Sequence, residues 1–524
     1  MNQQWIIVYL LVACTHLSHQ RSTPNSPTYR AAVLNYFSAY VSNNTELTLN
    51  MNCAEYVKLI EIAQTMDVDI IVFPEYGLTS IDLLTIDDIS SWATEIPYVT
   101  DNYVPCTKRS GSVNDVLIKI SCAAKQNRIY VVINVVERTY SFQTKKTIYY
   151  SSNVVFDRTG RIIAKYRKTI ISEKEAQLFD FPLWNQIKQL LTLTDQDEAI
   201  FNTDFGVKFA TFTSYDILFS EPALQFTRMK NITDIVHPTV WYSETPFFTA
   251  TQIEAGWSFA ENVNLLTSSY NRPTSSNTGG GIYLGRKGLG KVILPNTDSL
   301  ITYDVPKINR NKLESLKLSS FAYYYHDFIH NSTKQKIQVQ NEDGNKLCKR
   351  QEDINVSEKN KVFLYRSYDN GIPLEYNITK QFQEDVHIDG FCCKFKGHIE
   401  KVDPCIKYRF VIFKQQRGIF NIAGGVLACG IIQCSSNSIE SCGSVEKSET
   451  LFKNLEITAE FKNDKNLLIM PSTLNSNLLP LNNWMYSENI HGNDMSVTIS
   501  LNKATNNIVT FGLYLRNFSA DHII

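Results

Sequence analysis

Continuous apolar runs alternate with amphipathic stretches over roughly the first 300 residues of the chain. Val68–Phe73 (VDIIVF) and Ile129–Val136 (IYVVINVV) are apolar at nearly every position. That is the pattern of a strand covered on both faces, as in a parallel sheet. Arg30–Phe37 predicts a first strand. Asn52–Met66 carries helical spacing (Tyr56, Leu59, Ile60, Ile62, Ala63), and Val113–Gln126 predicts another helix. Tyr149–Phe156 and Ile162–Tyr166 predict a strand pair joined by a turn at Asp157–Gly160 (DRTG). Further on come a strand over Ile232–Val240, a helix over Ala250–Asn262 and a strand over Asn264–Ser269. Strands alternating with helices in this way imply an α/β domain.

Phe205–Pro222 (FGVKFATFTSYDILFSEP) stands out in this series. Val207–Thr213 predicts a buried strand and Asp216 onward predicts a helix, with Ser214 on the junction. A strand-to-helix elbow lifts its side chain beyond the sheet edge and turns the next backbone N–H groups toward an incoming carbonyl oxygen. It is a place where hydrolases set a nucleophile.

From about residue 310 the pattern changes. Lys361–Tyr365, Tyr408–Phe413, Leu455–Phe461, Ser496–Leu501 and Asn507–Leu515 are short, β-like and separated by turns and cysteines. They predict a second, mainly β domain of roughly 200 residues. A length of 524 residues agrees with more than one domain. There is no sequence repeat or low-complexity tract. A net charge of −1 gives no electrostatic argument for nucleic acid or an anionic membrane surface.

Trp5–Ala13 is a short apolar core followed by polar Cys14–Gln20, so residues 1–20 predict a secretory signal, too short to span a bilayer. Leu11–Cys14 also fits a lipoprotein processing site, should the source be bacterial. Six Asn-x-Ser/Thr sequons, at Asn43, Asn231, Asn331, Asn355, Asn377 and Asn517, agree with export and glycosylation. Loss of Cys14 with the signal leaves ten of the 11 cysteines, an even number that predicts full disulfide pairing. Three lie early (Cys53, Cys106, Cys122) and seven late (Cys348 to Cys442), so either one bridge crosses between domains or two thiols stay free. Arg516, Asp521 and His522 interrupt the C-terminal apolar run, which argues against a lipid-anchor signal. No other stretch is long enough to span a membrane, and a soluble secreted form is expected.

Three polar residues stand at the ends of apolar runs: Glu75 after VDIIVFP, Lys168 following the strand in IIAKYRK, and Ser214 after VKFATFT. In a parallel α/β sheet the strand C-termini converge on one edge, where ligands bind. A carboxylate, an ammonium and a hydroxyl gathered there could serve as base, oxyanion stabiliser and nucleophile. The plainer reading is that strand ends carry polar residues because they meet solvent. Other motif-like stretches are weaker. His326–His330 (HDFIH) has a zincin's His spacing but Asp in place of Glu, and lies among aromatics. Gly256–Ala260 approximates a nucleophile elbow within a helical pattern. Gly280–Lys287 lacks the Gly-Lys-Ser/Thr of a phosphate loop. The Cys392–Cys393 pair and Cys429/Cys434 lack zinc spacing. No metal or cofactor is expected.

Ile70–Leu78 (IIVFPEYGL), Lys165–Ile171 (KYRKTII), Phe212–Ala223 (FTSYDILFSEPA), His237–Trp257 and the glycine-rich Gly279–Gly285 resemble the nitrilase (carbon-nitrogen hydrolase) superfamily, and within it the vanin and biotinidase branch. The resemblance implies a nitrilase-like αββα sandwich over residues 28–305, followed by a β-rich vanin-type domain over 310–515. It implies hydrolysis of linear amides such as pantetheine or biotinyl amides by a Glu–Lys–Cys triad. On its motifs Glu75 takes the base position, Lys168 the lysine position and Glu175 that of a supporting glutamate, with Glu173 as an alternative. Tyr215 offers the oxyanion N–H, and Tyr215 and Trp241 fall at the expected ligand pocket, although core packing also suits Trp241. The nucleophile position falls on Ser214, where the family has cysteine. A serine hydroxyl is far less acidic than a thiol of pKa about 8.5, and a carboxylate is a weak base for it. The expectation is a secreted protein of this branch, with no nucleic-acid partner, that retains a pocket for a small amide and has impaired amidase chemistry. The alternatives are an active hydrolase using Ser214, and a non-catalytic interaction protein whose protein partners the sequence does not identify.

Overall fold

The computed structural model describes residues 21–85, 89–108, 110–142, 145–179, 198–293, 299–308, 381–419 and 422–523, with short strands at 323–324, 365–366 and 372–373. Residues 1–20, the His326–His330 stretch and the sequons at Asn331, Asn355 and Asn377 lie outside the described residues.

The first domain is built on strand β1 (Thr28–Tyr36). Strand β2 (Ile70–Val72) pairs parallel on one side, and β3 (Tyr130–Ser141) pairs parallel to β2. The antiparallel strands β4 (Lys146–Phe156) and β5 (Ile162–Arg167) complete that flank. On the other flank β9 (Asn264–Tyr270), β8 (Asp234–Thr239) and β7 (Lys208–Thr211) run parallel in that order, and β6 (Ile200–Asn202) closes the edge antiparallel. Strand β12 (Ser299–Pro306) runs antiparallel along β1, and β10 (Gly281–Leu284) and β11 (Leu289–Val292) extend from β9. These 12 strands form one continuous sheet. Helices α1 (Thr45–Thr65) and α2 (Asp115–Asn127) contribute Tyr56, Ile60, Leu117 and Ile120 to a core with Leu34, Ile71, Phe73 and Ile133 of one sheet face. Val33, Val72, Val132, Phe209 and Leu266 share a separate core on the opposite face.

Local chemistry sets most boundaries. Helix α1 begins at Thr45, not Asn52, because the Asn44 side chain caps it by accepting from the Leu47 N–H at 3.0 Å. Strand β3 continues past Val136 to Ser141, because its polar tail still pairs with β4. The turn after β4 is held by Asp157 Oδ1, which accepts from the Thr159 N–H at 2.8 Å. Gly160 there has φ +81°, and a Cβ on it would meet the Ser121 carbonyl at 2.4 Å.

The C-terminal strands are longer than the sequence pattern suggests. Lys407–Ile419 and Ile422–Cys434 have 13 residues each, and Ile508–Ile523 has 16. All three lie in one antiparallel sheet of five strands, which faces a second antiparallel sheet of six. Rings meet between the sheets, as in Phe395–Phe410 at 4.6 Å and Tyr408–Phe452 at 5.1 Å. This core is continuous with Phe212, Trp241, Trp257 and Phe259 of the first domain, so the two domains share packing. Helix α3 (Ala250–Glu261) lies at the boundary. A Cβ at Gly256 would meet the Pro471 carbonyl at 2.7 Å, so this glycine lets α3 approach the β domain, and the elbow-like GWSFA is helix interior.

Full disulfide pairing does not hold. Cys106–Cys122, Cys393–Cys429 and Cys434–Cys442 are bonded, and Cys405 is bonded as well. Cys53 and Cys392 are buried free thiols, one in each domain, which accounts for the odd counts. Cys53 faces α2, with its sulfur 4.0 Å from the Val116 carbonyl, and burial pushes its thiol up to about 11.

Glu254 of α3 is fully buried and accepts from Tyr283 Oη at 2.7 Å. Burial outweighs that bond and pushes the carboxyl up to about 8. The folded protein therefore retains a proton that the unfolded chain, with a carboxyl near its usual 4.3, has already released. Stability is lost as pH rises from about 4.3 through about 8. Glu254→Gln should raise the melting temperature more at pH 8 than at pH 5. An equal effect at both values would show that Glu254 ionises normally in the fold.

Candidate active site

Thr213 leads into the turn after β7, its N–H donating to the Asp216 carboxylate and its carbonyl accepting from the Asp216 N–H, each at 3.1 Å. The helix expected from Asp216 is two pieces, a tight turn over Ser214–Leu218 and a wider helical segment over Ser220–Met229. Phe219, at φ −116° and ψ 153°, breaks them apart. Ser214 opens the turn with φ +47°. A non-glycine residue in that region costs about 1–2 kcal/mol, and surrounding contacts must hold it there.

Two buried groups do so. The His237 ring accepts from Thr267 Oγ1 at Nδ1 (3.3 Å) and donates from Nε2 to the Ser214 carbonyl (3.0 Å). The carbonyl can only accept, which sets this tautomer. Burial pulls His237 down to about 4, so the ring is neutral at physiological pH. The Asp216 carboxylate accepts from Tyr166 Oη (2.8 Å), Thr169 Oγ1 (2.9 Å), Ile170 N–H (2.9 Å) and Thr213 N–H (3.1 Å). It thereby ties the elbow to the loop after β5, which carries Lys168. Burial pushes its carboxyl up to about 6 against these bonds.

Glu75, Lys168 and Ser214 converge. Glu75 is just beyond the C-terminal end of β2, Lys168 follows β5 directly and Ser214 follows β7. Lys168 Nζ donates to Glu75 Oε1 at 2.8 Å and to Glu175 Oε1 at 2.6 Å. Glu175 is the supporting carboxylate, since Glu173 is exposed at the pocket rim. Glu175 also accepts from Tyr76 Oη and from the Ser172 N–H at 2.7 Å. Ser214 Oγ donates to Glu75 Oε2. The triad side chains are nearly dry, with Lys168 exposed by 2% and Glu75 by 0%. Burial opposes the Lys168 charge, but Glu175 and Glu75 together hold its pKa above the ordinary lysine value. Burial pushes Glu75 up to about 7, opposed by Lys168 and helped by Glu175. Burial also acts to raise Glu175, yet Lys168 and the donors around it keep that carboxyl below its ordinary value.

A pocket of about 360 Å³ opens above this cluster, lined by Tyr76, Leu84, Lys168, Tyr215, Val240 and Tyr242, with Ser172, Glu173, Lys174 and Glu175 along one side. Its size and mixed lining suit a small ligand with one or two polar groups. Tyr215 forms part of its wall. Trp241, expected at the pocket, is fully buried behind Tyr215, stacked on it at 4.3 Å. Trp257 is buried against Phe212 at 5.6 Å. Of the described sequons, Asn43 and Asn231 are exposed and Asn517 is half-buried. Among the described residues no group of His, Cys, Asp or Glu could hold a metal ion, and no helix is long and apolar enough to cross a membrane. Sequence reading missed His237, Asp216, Tyr76 and Thr239. A polar residue inside an apolar strand, as His237 in DIVHPT, was the available signal.

Residues 30–249 match the carbon-nitrogen hydrolase family and residues 368–521 the vanin C-terminal domain. The chain is similar to Vanin-like protein 1 of Drosophila melanogaster, at 28% identity over 97% of this chain and 90% of the relative. It is similar to Pantetheinase of Homo sapiens, at 27% identity over 83% of this chain and 80% of the relative. Among solved structures, a Saccharomyces cerevisiae member of branch 10 of the nitrilase superfamily aligns with a TM-score of 0.40 and 15% identity, over 57% of this chain and 96% of that one.

Removing one partner of a buried ion pair leaves the other charge uncompensated, at a cost of about 3–5 kcal/mol. Lys168→Met should lower unfolding stability at pH 8 by about that amount, measured by denaturant titration. The loss should shrink toward pH 5, where Glu75 and Glu175 can protonate. A loss under about 1 kcal/mol at pH 8 would show that the cluster is hydrated and loosely coupled.

Proposed function

We propose that this chain, a vanin-type carbon-nitrogen hydrolase scaffold by both of its domain matches and by its relatives, is a secreted protein that keeps a pocket for small linear amides and has lost most of the amidase chemistry. The observation that carries this reading is the hydrogen bonding of Ser214 Oγ. It donates toward Glu75, faces the Val240 carbonyl at 3.0 Å and Thr239 Oγ1 at 3.1 Å, and accepts from the Val240 N–H at 2.8 Å. A hydroxyl has one proton and two lone pairs, so donation to Glu75 and acceptance from the Val240 N–H and Thr239 Oγ1 use its whole capacity, with the Val240 carbonyl competing for the proton. To attack a carbonyl, Oγ would have to give up a buried hydrogen bond as well as its proton. A thiol, a weak donor and weak acceptor, would lose little by moving and is partly ionised near neutrality.

In this arrangement Glu75 is the base, Lys168 faces the oxyanion of an incoming amide, and Glu175 with Tyr76 keeps Lys168 aimed and charged. The wall of Tyr76, Tyr215 and Tyr242 gives flat apolar contact to a slender ligand. One observation favours the rival reading, an active hydrolase using Ser214. A Glu75 carboxyl at about 7 is as basic as the imidazole that activates serine in other hydrolases. Glu75 at that value narrows the mismatch expected from an ordinary carboxylate, but it does not relieve the saturation of Oγ.

Wild type and Ser214→Cys should be assayed together on pantetheine and biotinyl amides. The cysteine variant should turn over at least one of them, with wild type lower by about 10²-fold or more. Wild-type turnover abolished by Glu75→Ala would overturn the impaired reading and make Ser214 the working nucleophile.

Secretion is supported by the apolar segment at Trp5–Ala13, by the disulfides and by exposed sequons. Expressed with its leader in a eukaryotic secretory host, the protein should appear in the medium and shift to lower mass on glycosidase treatment. Asn43→Gln and Asn231→Gln should each remove part of that shift. Retention inside the cell with no shift would rule secretion out.

A further inference from the structure

The turn that carries Ser214 has two ends. The first domain holds the first through His237 and Asp216, as described above. The other ends on the Leu218 carbonyl, and a helical turn leaves its last carbonyls without partners inside the turn. The donor found there comes from the β domain. Arg516, on the strand Ile508–Ile523, is fully buried, and its Nε donates to the Leu218 carbonyl at 3.0 Å. Its other arms stay in the β domain: Nη1 donates to the Gly425 carbonyl at 2.5 Å and Nη2 to Asp521 Oδ2 at 2.7 Å. The guanidinium also sits between rings of both domains, 5.6 Å from Phe219 and 5.0 Å from Phe518. The β domain makes room for it. A Cβ at Gly424 would lie within 3.0 Å of both terminal nitrogens.

A planar guanidinium suits this place because its donors are set in a rigid fork. Two prongs fix the group to Gly425 and Asp521, and the third then points in one direction only. We propose that Arg516 is a positioning residue for the Ser214 turn, acting through the Leu218 carbonyl, so that the site of the first domain is complete only when the β domain is docked on it. A second contact has the same sense. Arg417 of the β domain pairs with Glu244 and lies 4.1 Å over Phe248, which packs at 5.2 Å on the Trp241 ring behind Tyr215. The pocket wall and the Ser214 turn are thus each backed by an arginine from the other domain. The inference concerns the placement of residue 214 and holds whether or not Ser214 turns over substrate.

The test is site-resolved hydrogen exchange on the full chain, comparing wild type with Arg516→Lys. Lysine keeps the charge beside Asp521 but cannot span three acceptors. Asp216 and Phe219 amides bond within the turn, to the Thr213 and Asp216 carbonyls, at 3.1 Å each. Their exchange should speed up by about tenfold, as for loss of one charge-assisted hydrogen bond. Amides of residues 508–515 should exchange as in wild type. Faster exchange confined to the region of Gly425 and Asp521, with the turn unchanged, would overturn the proposal and leave Arg516 a packing residue of its own domain. Should Arg516→Lys fail to fold, Asp521→Asn, at the partner nearer the surface, is read by the same criterion. Faster turn exchange then supports the proposal, and an unchanged turn overturns it.

Discussion

An ammonium buried between two carboxylates is the constraint on which the first domain depends. Lys168 is almost without solvent, and its charge is tolerable only because Glu75 and Glu175 lie within 2.8 and 2.6 Å. Glu75 lies 93 positions from Lys168 along the chain, and Glu175 only seven. Their meeting requires that β2 end before Pro74, that β5 deliver Lys168 to the same edge, and that the following loop fold back to bury Glu175. The parallel arrangement of β2, β8 and β7 brings these ends together, because parallel strands all finish on one side of the sheet. Once in place, the cluster determines the environment of Ser214. A carboxylate that shares a lysine with a second carboxylate, away from water, is pushed toward neutrality, and its outer oxygen becomes the acceptor for the hydroxyl beside it.

That hydroxyl is set in a frame held from several sides. The elbow, the strained backbone at Ser214, the His237 and Asp216 supports and the pocket are all built. A hydroxyl oxygen is smaller, far less acidic and a much stronger hydrogen-bonding group than a thiol sulfur. Ser214 Oγ sits in a ring of donors and acceptors formed by Glu75, Thr239 and the Val240 backbone.

The β domain is continuous with this site. Its core merges with the aromatic layer behind the pocket, and two of its arginines reach across, Arg516 to the Leu218 carbonyl and Arg417 to Glu244 and the Phe248 ring. Gly256, Gly424 and Gly425 matter for the same reason. Each is placed where backbone or a guanidinium approaches too closely for a side chain. The pairing of cysteines follows from this packing as well. Cys53 faces an apolar helix surface with no sulfur opposite it, and parity of the count carried no information about that.

Local pattern was enough to identify the buried parallel strands, the elbow, and Glu75, Lys168 and Ser214 as polar residues at strand ends, because burial on both faces leaves a continuous apolar run that ends where the sheet meets solvent. The β character of the second domain was legible for the same reason, although strand lengths were not, since half-exposed antiparallel strands carry polar residues that read as turns. Tertiary structure alone decided which of Glu173 and Glu175 reaches Lys168, a choice made by the fold of one short loop. It put Trp241 behind Tyr215, left Cys53 and Cys392 unpaired, turned His237 toward the Ser214 carbonyl and brought Arg516 to Leu218. Apart from the choice of Glu175, each is an arrangement of residues far apart in the chain. Its direction depends on packing, and no periodicity along the sequence records it.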